Sequence, residues 1–388
     1  MKRLLKIGLW TIATLIVVGA GIGLWKREEI TRLLAVNSLF SEEKIVRNFS
    51  HMDQAFLSTG ISRGDGAVTE LPQGLSAIMP KEFDAWVKER ILTGIVVLKD
   101  GQLVHESYYL GTNDTDQRIS WSVAKSYLSA LLGVLLKEGV IESIDDPVVA
   151  YVPALQNGAY AQATIRNVLN MASGVVFNED YFDPNSDINK MGRTIALGGS
   201  LDEYSANLTE SFAAPGEVWK YVSIDTHVLS MVIRGATGRS IADLLGEKII
   251  TPLGLEAAPY YVTDGDKTAF VLGGLNQSTR DYARFGQMIL QDGFYNGSQI
   301  VPADWIADST VHSAPKKPDG MGYGYQWWIP KNAEPGEFLA QGAYGQYIYF
   351  NKRMGVVIAS NAADRTFRAD GVSDQNVAMF RSIAKQIN

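Results

Sequence analysis

Residues 120–139 read SWSVAKSYLSALLGVLLKEG, an apolar run that predicts a helix with an S-x-x-K pattern, Ser122 to Lys125, at its start. Residues three apart share one face of a helix, so the Lys125 amine can reach the Ser122 hydroxyl. Free backbone N–H groups at a helix N-terminus can also stabilise an oxyanion that forms beside Ser122. The pattern therefore predicts an activated serine nucleophile, although the same letters are also typical of a solvated lysine one turn into a helix.

Strand-like segments lie on both sides of a long helical region. Asp100-Gly101 separates two β-prone runs within residues 94–111, which predicts a hairpin. Residues 140–270 are helical and rich in loops, and strand-like runs return at 323–329, 337–350 and 355–360. The sequence therefore predicts an α/β (α+β) fold, in which an antiparallel sheet flanked by helices carries an inserted, mainly helical subdomain and leaves a cleft against it.

Three further helices are predicted outside this region. They cover residues 81–92, the amphipathic stretch from a Ser278 or Thr279 N-cap to Gly293, and residues 374–387. We therefore divide the chain into an N-terminal segment (1–27), a linker or arm (28–78) that includes a helical patch, and a domain (79–388) with the helical insertion at about 140–270.

The N-terminal segment has the length of a membrane span. Residues 7–25 are uncharged, follow three basic residues and would extend about 28 Å as a helix, which matches a bilayer core. Val18-Gly19-Ala20 is an acceptable cleavage site, so a signal peptide is the alternative. We expect an anchor in the bacterial inner membrane with the rest of the chain in the periplasm, or secretion after cleavage.

Composition excludes several functional classes. The chain of 388 residues has no cysteine and only four histidines, without metal-ligand spacing, so neither a cofactor nor a metal is expected.

The first 27 residues hold five of the 35 basic residues and none of the 42 acidic ones. The remainder therefore has 30 basic and 42 acidic residues, a net charge of −12. Such a domain repels polyanions, and we expect no nucleic-acid partner.

Several segments occur in an order that is typical of one superfamily. They are SVAK at 122–125, TIRNVLNMASGV at 164–175, PGEVWKYVS at 215–223 and GGLNQSTRDYARFG at 273–286, followed by a glycine-containing late strand. Over about residues 80–388 the chain resembles the serine β-lactamase and penicillin-binding-protein superfamily. Within it, the chain is most similar to class C β-lactamase-related hydrolases of the 6-aminohexanoate-dimer hydrolase type, which implies a β-lactamase/transpeptidase-like fold.

The resemblance implies roles for further residues. Tyr221 matches a tyrosine that acts as a general base when held as phenolate, or as a proton relay with Lys125. Ser223 stands where the family has an asparagine, which leaves its hydrogen-bonding role open. Tyr181 matches a tyrosine in a loop over the cleft. The alternative is an aromatic loop residue without a catalytic role.

The late strand matches a Lys-Thr-Gly or His-Thr-Gly motif of the family at Ala340, Gln341 and Gly342. The resemblance implies that Gly342 leaves room for substrate, and that the backbone N–H groups of Ala343 and Ser122 form the oxyanion hole. Ala340 replaces a cationic residue that binds carboxylates, which argues against an efficient β-lactamase or carboxypeptidase. The aromatic residues Tyr325, Trp327 and Trp328 are expected to line or support the cleft.

These observations predict a serine hydrolase that cleaves a small ester or linear amide through an acyl-enzyme on Ser122. A penicillin-binding protein, D-alanyl-D-alanine peptidase or β-lactamase is the alternative with the same chemistry, and a non-catalytic binding or sensor domain is the alternative of another class. Two other serine arrangements are less favoured, a triad through His227 and a nucleophile elbow at Gly60-x-Ser62-x-Gly64. The elbow requires a buried strand before its serine, whereas the flanks here are turn-like. The oligomeric state is open.

Overall fold

The computed structural model describes residues 24–315 and 320–388, together with scattered positions between 8 and 21. In these parts of the chain, no helix is both long enough and apolar enough to span a bilayer. Most of residues 7–25, the predicted anchor, lie outside the described residues. The anchor therefore stays a prediction.

A seven-stranded antiparallel sheet is the centre of the fold. The strands, numbered in chain order, are β1 (Ser58–Gly60), β2 (Leu92–Lys99), β3 (Gln102–Tyr108), β4 (Arg118–Ile119), β5 (Tyr260–Val262), β6 (Leu275–Gln277), β7 (Phe294–Tyr295), β8 (Ser298–Gln299), β9 (Gly322–Tyr323), β10 (Trp328–Ile329), β11 (Glu337–Gly342), β12 (Gln346–Asn351) and β13 (Val356–Ala362). The central order is β3-β2-β13-β12-β11-β10-β9, while β1, β5, β6 and β4 form a smaller sheet and β7 pairs with β8. Early and late strands thus meet at β2 and β13, as the sequence predicted.

The predicted hairpin is confirmed, and its turn has the expected chemistry. Strands β2 and β3 pair antiparallel around Asp100 and Gly101. Both residues have positive φ, 50° and 80°, which is the backbone of a two-residue turn that follows the right-handed twist of the strands. Aspartate and glycine tolerate this conformation better than branched residues do.

Two late runs that were predicted as continuous strands are each divided. Residues 323–329 form parts of β9 and β10, because Gln326 takes a left-handed backbone (φ 70°) and its side-chain amide donates to the carbonyls of Val168 and Leu169. Residues 337–350 form β11 and β12, which reverse at a short 3-10 turn, Ala343–Gly345. Local polar contacts at the turns outweigh the β propensity of the aromatic residues.

Helices cover both faces of the central sheet. They are α1 (Arg27–Ser38), α2 (Ile45–Asn48), α3 (Met52–Ala55), α4 (Phe83–Glu89), α5 (Ala124–Lys137), α6 (Ile165–Leu169), α7 (Asp187–Ala196), α8 (Leu201–Ala206), α9 (Ser223–Thr237), α10 (Ile241–Leu245), α11 (Thr251–Leu253), α12 (Thr279–Leu290), α13 (Ala303–Ser309) and α14 (Val372–Gln386). Shorter 3-10 and π turns are Trp121–Val123, Val148–Ala150, Pro153–Leu155 and Gly246–Ile250. The predicted helices near 81–92, 279–293 and 374–387 are confirmed as α4, α12 and α14, and Ser278 caps α12 by accepting from the Asp281 N–H.

The alternation of side chains along β2 divides the core into two layers. Ile95 and Val97 pack with Phe380 in the cluster that contains α4 and α14. Val96 and Leu98 belong to the larger cluster on the other face, which contains α5 and α12. Every element from residue 148 to residue 253 is helical; α6, α9 and α10 pack on the second layer, whereas α7 packs in a separate cluster. A strand buried on both faces explains the continuous apolar run from which it was predicted.

Residues 28–78, predicted as a linker or arm, pack closely on the rest of the chain. The Arg32 side chain donates to the carbonyl of Ala196 at the end of α7, 2.9 Å away, and β1 pairs with β5. Leu39 and Phe49 are buried in a cluster that joins this segment to α7. We keep the name arm for residues 28–78, and the division of the chain into arm and domain stays a prediction.

Replacing Phe49 with alanine tests how strongly the arm is held. Phe49 is fully buried, so Phe49→Ala is expected to lower the free energy of unfolding by about 3–5 kcal/mol. Denaturant unfolding measures this difference. Phe294, which is 50% exposed, is the matched control, and its alanine variant is expected to stay within about 0.5 kcal/mol of the parent. Equal stability of both variants would show that the arm is not anchored through Phe49.

Candidate active site

The candidate nucleophile lies in the 3-10 turn Trp121–Val123 that leads directly into α5. The end of β11 comes close to this turn: a Cβ added to Gly342 would lie 2.5 Å from the Ser120 carbonyl oxygen and 3.1 Å from the Ser122 backbone nitrogen. No side chain fits in that space. Glycine at 342 therefore allows the strand to approach the start of the helix.

Lys125, the second residue of α5, is buried and faces Ser122. Its Nζ lies 2.9 Å from Ser122 Oγ and donates to the Leu272 carbonyl at 2.7 Å. Burial lowers the pKa of the Lys125 amine to about 7, while the negative charge of Glu179 opposes this shift. The amine is therefore partly neutral near pH 7, so it can accept the hydroxyl proton of Ser122.

Tyr221 lines the same cavity as the candidate nucleophile and lies close to Lys125. Its ring stacks on Trp328 with centroids 5.4 Å apart, and Lys125 Nζ lies 5.3 Å from its ring centroid. Burial and the charge of Glu179 raise the pKa of the Tyr221 phenol, and interaction with the Ser122 side chain opposes the rise only in part. The phenol is therefore protonated at neutral pH, which favours the relay role over a standing phenolate.

Glu179 is a site residue that the sequence did not reveal. Its carboxylate accepts a hydrogen bond from the Ser223 backbone N–H, and its carbonyl accepts from Arg368 Nη1 at 2.6 Å. Glu179 Oε2 and Ser223 Oγ are both buried. Burial raises the pKa of the Glu179 carboxyl, and the charge of Lys125 opposes this. A lone acidic residue in a loop has no spacing pattern by which it could have been found.

The loop at residues 177–187 brings Tyr181 to the site. Asn189 in α7 fixes the loop, because its side-chain amide donates to the carbonyls of Asp180, Tyr181 and Asp183. The Arg368 guanidinium lies 5.1 Å from the centroid of the Tyr181 ring. The structure thus places Tyr181 beside the cleft, as the family resemblance implied.

The residues next to the two predicted oxyanion amides hold left-handed backbones. Trp121 (φ 41°) precedes the candidate nucleophile, and Tyr344 (φ 59°) follows Ala343. Phe40 of the arm stacks on Tyr344 at 4.9 Å and contacts Trp121 at 5.8 Å, while Phe49 meets the same two rings at 5.4 and 5.5 Å. Such conformations cost about 1–3 kcal/mol and persist only where the surroundings fix them. We call these four rings the aromatic clamp.

Two cavities meet at the candidate nucleophile, and Ser122, Tyr181 and Ala343 line both of them. The first, of about 300 Å³, is mainly apolar, and we call it the apolar cavity. Its wall includes Val36, Leu39, Phe40, Met191, Phe270 and Leu272. The second, of about 640 Å³, is the polar cavity, and its wall includes Glu179, Tyr221, Lys331, Arg368, Asp370 and Asp374.

Some predicted residues lie away from both cavities. Ala340 is buried in the large core cluster, and Trp327 packs between aromatic core residues. Tyr325 accepts a hydrogen bond from Arg166 and packs on Trp305, whereas Trp328 lines the polar cavity. Their alternating directions along the divided run explain the difference.

The two alternative serine arrangements are wrong. His227 Nε2 lies 2.7 Å from Asp202 Oδ1, and His227 lines neither cavity that contains Ser122. Ser62 is exposed in the arm, where its hydroxyl accepts from the Gly64 N–H in a turn. Neither residue is placed to activate a nucleophile or to act as one in the cleft.

The antiparallel sheet, the helical layer and the Ser-x-x-Lys helix start between them define a fold of the serine β-lactamase and penicillin-binding-protein type. The chain belongs to the beta-lactamase family, whose model matches residues 83–377.

Among curated proteins, it is 27% identical over 331 residues to the 6-aminohexanoate-dimer hydrolase of Paenarthrobacter ureafaciens, covering 80% of this chain and 83% of that protein. It is 25% identical over 289 residues to penicillin-binding protein 4* of Bacillus subtilis, covering 63% of this chain and 60% of that protein.

A solved structure from Bacillus anthracis, provisionally assigned as a 6-aminohexanoate-dimer hydrolase, matches with a TM-score of 0.81 and 26% identity. The match covers 90% of this chain and 96% of that one. The predicted superfamily, its hydrolase branch and the fold class are therefore confirmed.

The charge of Glu179 provides a test of the Lys125 environment. Glu179→Gln removes a negative charge that favours the ammonium form of Lys125, so the pKa of Lys125 falls and the neutral amine forms at lower pH. If Lys125 acts as the base, the rising limb of kcat/KM against pH, expected near 7 in the parent, moves to lower pH. Asp180→Asn is the control, because that exposed neighbour is not among the charges that shift the pKa of Lys125. An unmoved limb in Glu179→Gln would contradict this coupling.

Proposed function

We propose that the protein is a serine hydrolase that cleaves a small ester or linear amide through an acyl-enzyme on Ser122. One observation carries the proposal: a buried lysine amine lies 2.9 Å from a serine hydroxyl at the junction of two cavities. The similarity to a 6-aminohexanoate-dimer hydrolase supports a linear amide as one substrate type.

In the first half-reaction, neutral Lys125 takes the proton of Ser122 Oγ while the oxygen attacks the substrate carbonyl carbon. The backbone N–H groups of Ser122 and Ala343 stabilise the negative charge that develops on the carbonyl oxygen. The proton then passes to the leaving group through Tyr221, and the bond between the carbonyl carbon and the leaving atom breaks. Water repeats the sequence on the acyl-enzyme and releases the acid.

A penicillin-binding or β-lactamase activity is the second candidate. Arg368 and Lys220 line the polar cavity and could bind a carboxylate, and the chain is similar to penicillin-binding protein 4*. Against it, Ala340 supplies no cation on β11. A non-catalytic binding domain is disfavoured by the Lys125–Ser122 contact, because binding alone needs no buried amine at a serine hydroxyl.

The location of the enzyme stays a prediction. The charge pattern and length of the N-terminal segment, residues 1–27, favour an anchor with the hydrolase outside the cytoplasm.

Substitution of the candidate nucleophile tests the proposal. Ser122→Ala is expected to lower kcat/KM for a p-nitrophenyl ester by roughly a thousandfold or more and to abolish the acyl-enzyme in intact-protein mass spectrometry. Ser62→Ala, which alters the other serine motif, is expected to keep activity within about twofold. Retained turnover in purified Ser122→Ala would refute the mechanism, and stable labelling of Ser122 by a fluorescent penicillin would favour the second candidate.

Removing the phenol tests the role of Tyr221. Tyr221→Phe keeps the stacked ring but not the hydroxyl, so hydrolysis of a linear amide is expected to fall by about 10²–10⁴. A p-nitrophenyl ester is expected to lose much less, because its leaving group departs without a proton. Tyr325→Phe, outside both cavities, is the control. Equal losses for ester and amide would show that Tyr221 does not protonate the leaving group.

A further inference from the structure

The two cavities that meet at Ser122 differ in the polarity of their walls and are lined by different segments of the chain. The arm contributes Val36, Leu39 and Phe40 to the apolar cavity, and α7 contributes Ile188, Met191 and Ile195. Residues 28–78 were predicted as a linker or an arm, and side chains of this segment form part of the wall beside the candidate nucleophile. The polar cavity has no arm residue among its described lining residues.

The position of Tyr221 distinguishes the two halves of a substrate. A group that gives a proton to the leaving atom must contact the leaving group. Tyr221 lines the polar cavity and is not among the described residues that line the apolar one. The leaving group therefore belongs in the polar cavity, and the acyl group belongs in the apolar cavity.

The charges in the apolar cavity restrict what the acyl group can be. None of the described residues that line it is acidic, and Arg193 is the charged one among them. A cationic acyl end would lose its hydration without gaining a counter-charge. A hydrocarbon acyl group binds favourably against the same wall, because burial of each methylene removes apolar surface from water.

We infer that the acyl part of the substrate is an uncharged hydrocarbon chain of several methylene groups, held in the apolar cavity between the arm and α7. This inference rests on the proposed function and deepens it. The inferred acyl group differs from an aminohexanoyl group, which carries an ammonium at the far end of its methylene chain. It also makes the arm part of the substrate site.

A series of p-nitrophenyl esters with acetyl, butyryl, hexanoyl and octanoyl groups tests the inference on the full chain. The expected kcat/KM rises about threefold to fourfold per added methylene from acetyl to hexanoyl, because each methylene transferred from water contributes about that factor. The 6-aminohexanoyl ester is expected to react at least about tenfold more slowly than the hexanoyl ester of the same length, because its ammonium lacks a partner.

Gly192 in α7 allows the cavity to be narrowed. It lines the apolar cavity, and a Cβ added there meets no heavy atom within 4 Å. Gly192→Leu is expected to lower the ratio of kcat/KM for the octanoyl ester to kcat/KM for the acetyl ester by about tenfold or more. Gly66→Leu is the matched control, because Gly66 has the same open space and lines neither cavity.

The outcomes separate this inference from the proposed function. Turnover that depends on Ser122 but is flat or falling with chain length, or that favours the 6-aminohexanoyl ester, overturns the inference alone. Loss of chain-length preference in Gly66→Leu as well as in Gly192→Leu also overturns it, since the effect is then not local. Absence of both turnover and acyl-enzyme for every ester overturns the proposed function and the inference with it.

Discussion

The burial of one amine at the start of α5 is the constraint on which the site depends. Removing an ammonium group from water costs several kcal/mol. Burial therefore lowers the pKa of the Lys125 amine and favours its neutral form. The amine then has two partners, the hydroxyl of Ser122 and the carbonyl of Leu272. The second partner lies after the helical insertion, so the chemistry at the helix start requires that the insertion has already packed. Protonation state and tertiary structure are therefore coupled at one atom.

The left-handed backbones next to the two predicted oxyanion amides also depend on the packing around them. Trp121 and Tyr344 carry large side chains in a conformation that most residues avoid. Their rings contact each other and those of Phe40 and Phe49, so the arm supplies half of the aromatic clamp. Packing of these rings stabilises the left-handed backbones and thereby fixes the direction of the two neighbouring amide N–H groups. Preorganised donors of this kind need no rearrangement when charge develops on the substrate.

Much of the fold and part of the site could be predicted from local signals. The hairpin at Asp100-Gly101, the cap at Ser278 and the approach of Lys125 to Ser122 each depend on residues a few positions apart. Glu179, the arm residue Phe40 and the division of residues 323–329 could not be predicted, because each depends on partners far away in sequence. Gln326, for example, reverses the chain through its contacts with Val168 and Leu169. The family resemblance supplied Tyr221 and Tyr181, which no local pattern distinguishes from core tyrosines.

The pairing of β2 with β13 has a consequence for how the chain folds during its synthesis. These strands are more than 250 residues apart in sequence, yet they are neighbours in the central sheet. During synthesis the hairpin of β2 and β3 leaves the ribosome long before its partner exists, with one edge of β2 unpaired. Contacts at such separation form slowly, and an open apolar edge invites wrong pairing in the interval. The nascent chain therefore needs protection of that edge until β13 has been synthesised, and its candidate active site, which includes Ala343, forms late.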